Sequence, residues 1–242
     1  MIADRAREFD QVPEAYEGPL YLEVSPRTFP VVVRTGSRLS QIRFRTGDSI
    51  LSDSALQDLH DNETLVASST PYIQHGISLS IDLKGGEDGL VGYRGKRHTG
   101  VIDMDKKAQH DVRDFWEPIF ARGSGPEVGS IILDPDQFYI LASNEAVHVP
   151  PDYAAEMVPF DPLVGEFRVH YAGFFDPGFG VDAPSRGVLE VRSHDAPFVL
   201  EHGQLVARLV YERMAEPPTT VYGKRIQSNY QGQGLKLSKH FR

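Results

Sequence analysis

Residues 174–214 read FFDPGFGVDAPSRGVLEVRSHDAPFVLEHGQLVARLVYERM, and the fold is decided in this stretch. Asp176-Pro177-Gly178-Phe179-Gly180 is turn material, because proline fixes φ and glycine reaches backbone conformations closed to other residues. Gly187-Val188-Leu189-Glu190-Val191 predicts a strand with a carboxylate in its middle. Phe198-Val199-Leu200 predicts a second short strand, and Gln204 to Tyr211 a third. A glutamate inside an apolar strand either faces solvent by alternation or is held in a site. Both readings stand for Glu190 at this point.

The same pattern extends upstream. Tyr21-Leu22, Val31-Val32-Val33, Ile42-Arg43-Phe44, Ile77 to Leu83, Val101-Ile102-Asp103, Ile131-Ile132-Leu133, Phe138 to Leu141 and Phe167 to Tyr171 all read as strands. Turn residues separate them, drawn from 22 glycines and 17 prolines. A mainly β fold follows, a sandwich or barrel-like body. Helical signals are few. Ser52-Asp53-Ser54 caps Ala55 to His60, where Ala55, Leu56 and Leu59 share a face. A second short helix is expected within Ala108 to Phe120, ended near Pro118.

The chain has 242 residues, 40% hydrophobic and 24% charged, which suits one large or two small globular domains. It holds no apolar run of the ~18 residues a membrane span needs, and its polar first ten residues make no signal peptide. Cysteine is absent, which removes disulfides, thiolate chemistry and the Cys-x-x-Cys ligands of zinc-dependent nucleobase deaminases. A cytoplasmic location is expected. The net charge of −9 argues against nucleic-acid binding. From Val221 to Arg242, however, the chain carries Lys224, Arg225, Lys236, Lys239 and Arg242 and no acid. An acidic body with a basic tail suits a small polyanionic ligand.

An internal repeat links the two ends. Glu8 to Arg45 aligns with Phe174 to Arg213, placing Glu23 opposite Glu190. Pro30 and Pro197 each follow their glutamate by seven residues, Gly36 and Gly203 by thirteen, Phe44 and Tyr211 by twenty-one. Asp10 matches Asp176 with one residue of slippage. A duplication is expected, with an incomplete first copy. Residues 1–51 then supply the C-terminal strands of that copy, 52–75 a linker with a short helix, and 76–242 a complete second copy. The chain is expected to begin partway through the first copy, leaving its strands with exposed edges.

Asp176 to Phe179, Leu189-Glu190-Val191, His202-Gly203-Gln204 and Tyr230 to Gly234 together resemble dCTP deaminase of the dUTPase-like superfamily. Ile77 to Leu83, Tyr93 to Met104 and Ile131 to Pro150 resemble earlier segments of that family. The layout resembles its long, tandem-repeat bacterial form. The resemblance implies a distorted β-barrel that binds dCTP or dUTP. It implies hydrolytic loss of ammonia from C4 of cytosine, giving dUTP, with no catalytic zinc and with Mg²⁺ accompanying the triphosphate. By the same resemblance Glu190 is the general acid and base, with Glu23 its repeat partner. Ala172 to Asp176 would line the base pocket. Tyr230 and Gln233 would reach the phosphates and sugar, and Lys236 and Lys239 would supply charge. The family's sites form between subunits, so a homo-oligomer is implied.

The chemistry agrees with the residue types. Deamination at C4 needs a water made nucleophilic and a proton delivered to N3 and then to the leaving amine, and one carboxylate can do both in turn. A dry pocket raises its pKa and lets it hold that proton. Read without the resemblance, Asp176-Pro177-Gly178 serves a turn alone, His170 is a core or a site histidine, and the tail is a free basic terminus. Two departures stand out. The family's Ser-Ser-x-x-Arg motif is replaced by Phe160 to Glu166, and its arginine two residues before the aspartate is Phe174. A catalytically impaired nucleotide-binding relic, or a dUTP pyrophosphatase of the same fold, are the alternatives.

Overall fold

The computed structural model describes residues 2–8, 12–68, 71–121, 129–159, 167–171 (backbone alone), 174–193, 195–219 and 234–242. The chain opens with β1 (Ile2–Ala3), β2 (Leu20–Tyr21) and β3 (Val31–Val32), then helix α1 (Asp53–Glu63). Strands β4 (Ile77–Ser80), β5 (Leu90–Gly95) and β6 (Ile102–Asp103) precede helix α2 (Val112–Phe115). Then follow β7 (Trp116–Phe120), β8 (Ser130–Leu133), β9 (Tyr139–Val147) and β10 (Tyr153–Pro159). The last strands are β11 (Phe167–Tyr171), β12 (Phe174–Phe175), β13 (Ser185–Ser193), β14 (Phe198–Glu201) and β15 (Leu205–Arg213). The mainly β expectation holds, with two short helices among the described residues.

Two sheets carry the core. One runs β11-β13-β9-β5-β7 and the other β12-β10-β15-β4. Strand β13 shows why they face each other. Ser185, Gly187, Leu189, Val191 and Ser193 are buried, and the residues between them are partly open. The period of two sends Leu189 and Val191 inward and Glu190 to the opposite face. Strand β13 pairs with β9 at Leu189↔Leu141 and Glu190↔Ile140, with a shift in register between Arg186 and Val188. The inward side chains meet those of the other sheet, Leu79, Met157, Leu209 and Tyr211 among them. Tyr211, fully buried, donates its hydroxyl to the His148 carbonyl at 2.7 Å, so its one polar atom is satisfied.

A second, smaller core lies on the outer face of the five-stranded sheet. It joins Phe29, Ile102, Phe115, Trp116, Ile140 and Leu237. Phe29 meets Phe115 and Trp116 edge-on, with ring centroids 5.3 and 5.1 Å apart. Strand β3 runs parallel to β6 at Val31↔Ile102. The N-terminal segment and the C-terminal segment thus converge over the face that carries Glu190.

Helix α1 begins where its cap predicts: Ser52 accepts from the Ala55 N–H, and Leu56 is the buried side chain of the helix. Helix α2 stops before Trp116. Pro118 does not end it but sits in β7, an edge strand of its sheet, where a missing N–H is tolerated. Ile42-Arg43-Phe44 forms no strand. The segment instead lies against the four-stranded sheet, tied by Leu51 N–H to Tyr211 O at 2.9 Å and Arg213 N–H to Ser49 O at 2.8 Å. Arg43 and Arg45 turn inward to Glu156 and Glu212, so Ile42 and Phe44 point outward, Phe44 being 87% exposed. Ion pairing, not hydrophobic alternation, chose the face. No helix among the described residues is long and apolar enough to cross a membrane.

Candidate active site

Glu190 opens into a cavity of about 510 Å³ under the second core, within the range of small-molecule sites. Strand β13 supplies three of its lining residues at alternate positions, Arg186, Val188 and Glu190. Trp116, Ile140 and Phe174 form apolar walls, and Asp176 brings a second carboxylate. Lys236 and His240 enter from the C-terminal segment, Phe29 and Gln41 from the N-terminal one.

Burial pushes the Glu190 carboxyl above its ordinary range, and the charge of Arg192 pulls it partly back. Arg192 is held in turn: it donates to the Thr28 hydroxyl and lies 4.7 Å over the Phe138 ring. Burial also pushes Asp176 up, against the charge of Arg43. A carboxyl raised by desolvation keeps its proton closer to neutral pH, which suits a group that must both give and take one.

Asp176 is fixed by the turn that follows it. Gly178 N–H reaches Val149 O at 2.9 Å and Phe179 N–H returns to Asp176 O at 3.0 Å. Gly178 and Gly180 take φ of 91° and 70°, which glycine adopts freely. The rings of Phe175 and Phe179 pack edge-on at 4.9 Å on either side of the turn. Arg186 is anchored by an ion pair with the buried carboxylate of Asp82. His240 is buried, with Nδ1 2.7 Å from the Lys106 carbonyl. A carbonyl only accepts, so Nδ1 carries the proton.

Glu190, Asp176 and Lys236, singled out from the sequence, meet in this cavity. Glu23 is exposed in the segment after β2 and is not among the lining residues. Lys239 is exposed, and its backbone carbonyl accepts from Ala108 N–H at 2.9 Å. Ala172, Tyr230, Gln233 and the 160–166 stretch lie outside the described residues, as does the His170 side chain. Arg186, His240, Phe29 and Gln41 were not foreseen. Arg186 was within reach, because it shares the strand face of Glu190 at a spacing of two. Among the described residues no group of three or more His, Cys, Asp or Glu is placed to hold a metal ion.

The chain is similar to known proteins. A crystal structure of 2'-deoxycytidine 5'-triphosphate deaminase from Agrobacterium tumefaciens aligns with a TM-score of 0.86 and 68% identity, over 92% of this chain and 65% of that one. This chain therefore spans less than two thirds of that relative's length. A dUMP-forming dCTP deaminase from Methanobrevibacter smithii is 28% identical over 178 residues, 72% of this chain and 86% of its own. A dCTP deaminase from Haloarcula marismortui is 28% identical over 165 residues, 66% of this chain and 78% of its own. The family model for the N-terminal domain of 2'-deoxycytidine 5'-triphosphate deaminase matches residues 1–48. The model for the C-terminal domain covers residues 52–241, most of the chain, with both Asp176 and Glu190, and the chain belongs to the 2'-deoxycytidine 5'-triphosphate deaminase family.

Proposed function

We propose that this chain hydrolyses dCTP to dUTP and ammonia, in pyrimidine deoxynucleotide synthesis, with Glu190 as the general acid and base. The observation that carries the reading is a carboxyl raised by burial, at the centre of a strand, opening into an apolar-walled cavity. In its protonated form Glu190 donates to N3 of the cytosine, which makes C4 electrophilic. The resulting carboxylate takes a proton from water as the oxygen attacks C4. The same carboxyl then delivers that proton to the amine, which leaves as ammonia, and the C4 hydroxyl gives its proton back to the carboxylate as it becomes the uracil carbonyl. Water and dCTP go in, dUTP and ammonia come out, and Glu190 returns to its starting state. Asp176 shares the cavity and contacts the base or its sugar. Lys236 supplies charge toward the phosphates. Mg²⁺ enters with the triphosphate, as part of the substrate.

A second product is favoured by the dUMP-forming relatives, so the product of this chain is dUTP or dUMP. Purified protein with dCTP and Mg²⁺ is expected to release ammonia, and chromatography of the nucleotide separates the two products. Pyrophosphate release from dUTP without any ammonia from dCTP would identify a pyrophosphatase instead. Tight dCTP binding with no product would identify a relic.

We further place the protein in the cytoplasm, where its nucleotide substrate lies, and as a homo-oligomer. Ile132 and Val199 are opposed across β8 and β14 and are 56% and 54% exposed, an apolar pair open to a second copy. Sedimentation is expected to show a species larger than the 27.0 kDa chain. A monomer alone at micromolar concentration would contradict this.

A further inference from the structure

The charge that acts on Asp176 comes from the N-terminal family segment. Arg43 lies within residues 1–48, and its guanidinium carbon sits 4.0 Å from the centre of the Phe174 ring. Its Nη2 reaches Glu156 at 3.3 Å and Glu212 at 3.1 Å. Among the described residues its Nε and Nη1 are buried without a hydrogen-bond partner. Leaving buried donors unmet is costly, so packing and ion pairing alone are a poor account of an arginine here. Arg45 already binds the same two carboxylates more closely, at 2.6 Å each, from a half-exposed position. The segment is therefore attached through Arg45 as well as through Arg43. What distinguishes Arg43 is its contact with Phe174 and its effect on Asp176, and both of those residues line the cavity. Phe174 is also the register partner of Glu156 across β10 and β12, so carboxylate, guanidinium and ring form one packed group.

We propose that Arg43 is a positioning residue of the deamination site, holding the Phe174 ring as a cavity wall and placing a positive charge beside Asp176. This rests on the deamination reading given above. One cavity is then built from both family segments. Arg43 acts from behind Phe174 at its edge, and Gln41, two residues earlier, lines it directly.

The direction of the pH effect follows from the charges present. Asp176 shares the cavity with Glu190 and Arg186 of β13 and with Lys236 and His240 of the C-terminal segment; Glu156 lies on the neighbouring β10. Burial raises Asp176 and Arg43 opposes it. Without Arg43 the effect of burial is less opposed, and Asp176 takes up its proton at higher pH.

The test compares Arg43→Gln, Arg43→Lys and Arg45→Gln in the full chain. The Asp176 carboxyl is titrated by carbon-13 NMR, assigned with Asp176→Asn, and kcat/KM for dCTP is followed against pH. Arg43→Gln is expected to raise the Asp176 midpoint, and with it the acid limb of kcat/KM, by about one pH unit. Arg43→Lys keeps the charge and the limb but raises KM about threefold, because an ammonium lacks the planar face that lies on Phe174. Arg45→Gln leaves both the midpoint and the limb in place. An unmoved Asp176 midpoint in Arg43→Gln would overturn the proposal. So would an equal shift in Arg45→Gln, which would make Arg43 one half of a surface attachment. The NMR titration needs no turnover, so an inactive parent would defeat the deamination reading while the effect of Arg43 on Asp176 was still measured.

Discussion

Glu190→Gln is expected to lower kcat for dCTP deamination by about 10³-fold or more while dCTP binding is kept. Glutamine has nearly the shape of glutamate, so the cavity and its walls stay as they are. What it loses is the ability to take a proton from water and return it to the ring nitrogen and the amine. General acid–base catalysis is worth about 10²–10⁴-fold, and in the proposed mechanism one group serves in both roles. The same substitution carries a second, independent sign. Burial raises the Glu190 carboxyl, so above its folded midpoint the native chain holds an ion that its surroundings disfavour. Below the ordinary carboxylate value of about 4.3 the group is protonated in both folded and unfolded chains, and the penalty is gone. Glu190→Gln should therefore melt higher than the parent at about pH 8 and lose that advantage near pH 4. Activity lost together with stability at every pH would instead mark Glu190 as a structural carboxylate.

Gly180→Ala is expected to destabilise the fold by about 3 kcal/mol. Gly180 adopts φ of +70°, and a Cβ placed there would come within 2.3 Å of the Val147 carbonyl oxygen. The left-handed backbone costs an alanine about 1–2 kcal/mol, and overpacking typically adds about 1–3 kcal/mol. The clash cannot be relieved by a rotating side chain, because the obstacle is backbone. Val147 is the partner of Ser185 where β9 and β13 meet, so any relief displaces the start of the strand that carries Glu190. Gly203→Ala is the control. It has φ of +80° but, among the described residues, nothing within 4 Å of where its Cβ would stand, so only the backbone strain of about 1–2 kcal/mol applies. Denaturant unfolding of both variants measures the difference. Equal losses would show that the approach to Val147 does not constrain the turn.

Alternation around Leu189 and Val191 gave β13 its inward face, and the Asp-Pro-Gly pattern located the turn, because both signals are local. The cap at Ser52 was readable for the same reason. Ile42-Arg43-Phe44 misled because a charged residue between two apolar ones alternates equally well either way up. Its face was settled by Glu156 and Glu212, more than 110 residues away. The cavity shows the same divide. Glu190 stood out as a charge in an apolar strand and Asp176 as the start of a turn. Phe29, Gln41 and His240 join them only through the second core, which no spacing along the chain announces. Glu23 matches Glu190 in its spacing to proline and glycine, yet it is exposed. Spacing carries turn geometry, whereas burial depends on strands packed around the residue.

In the proposed mechanism water attacks C4 of cytosine in the cavity that Glu190 lines. Turnover of dCTP in water enriched in the heavy oxygen isotope, with mass analysis of base and phosphates, tests it most directly. The account predicts uracil nucleotide carrying the label on its C4 oxygen, in the parent but not in Glu190→Gln. Label confined to phosphate on an unchanged cytosine nucleotide would contradict it.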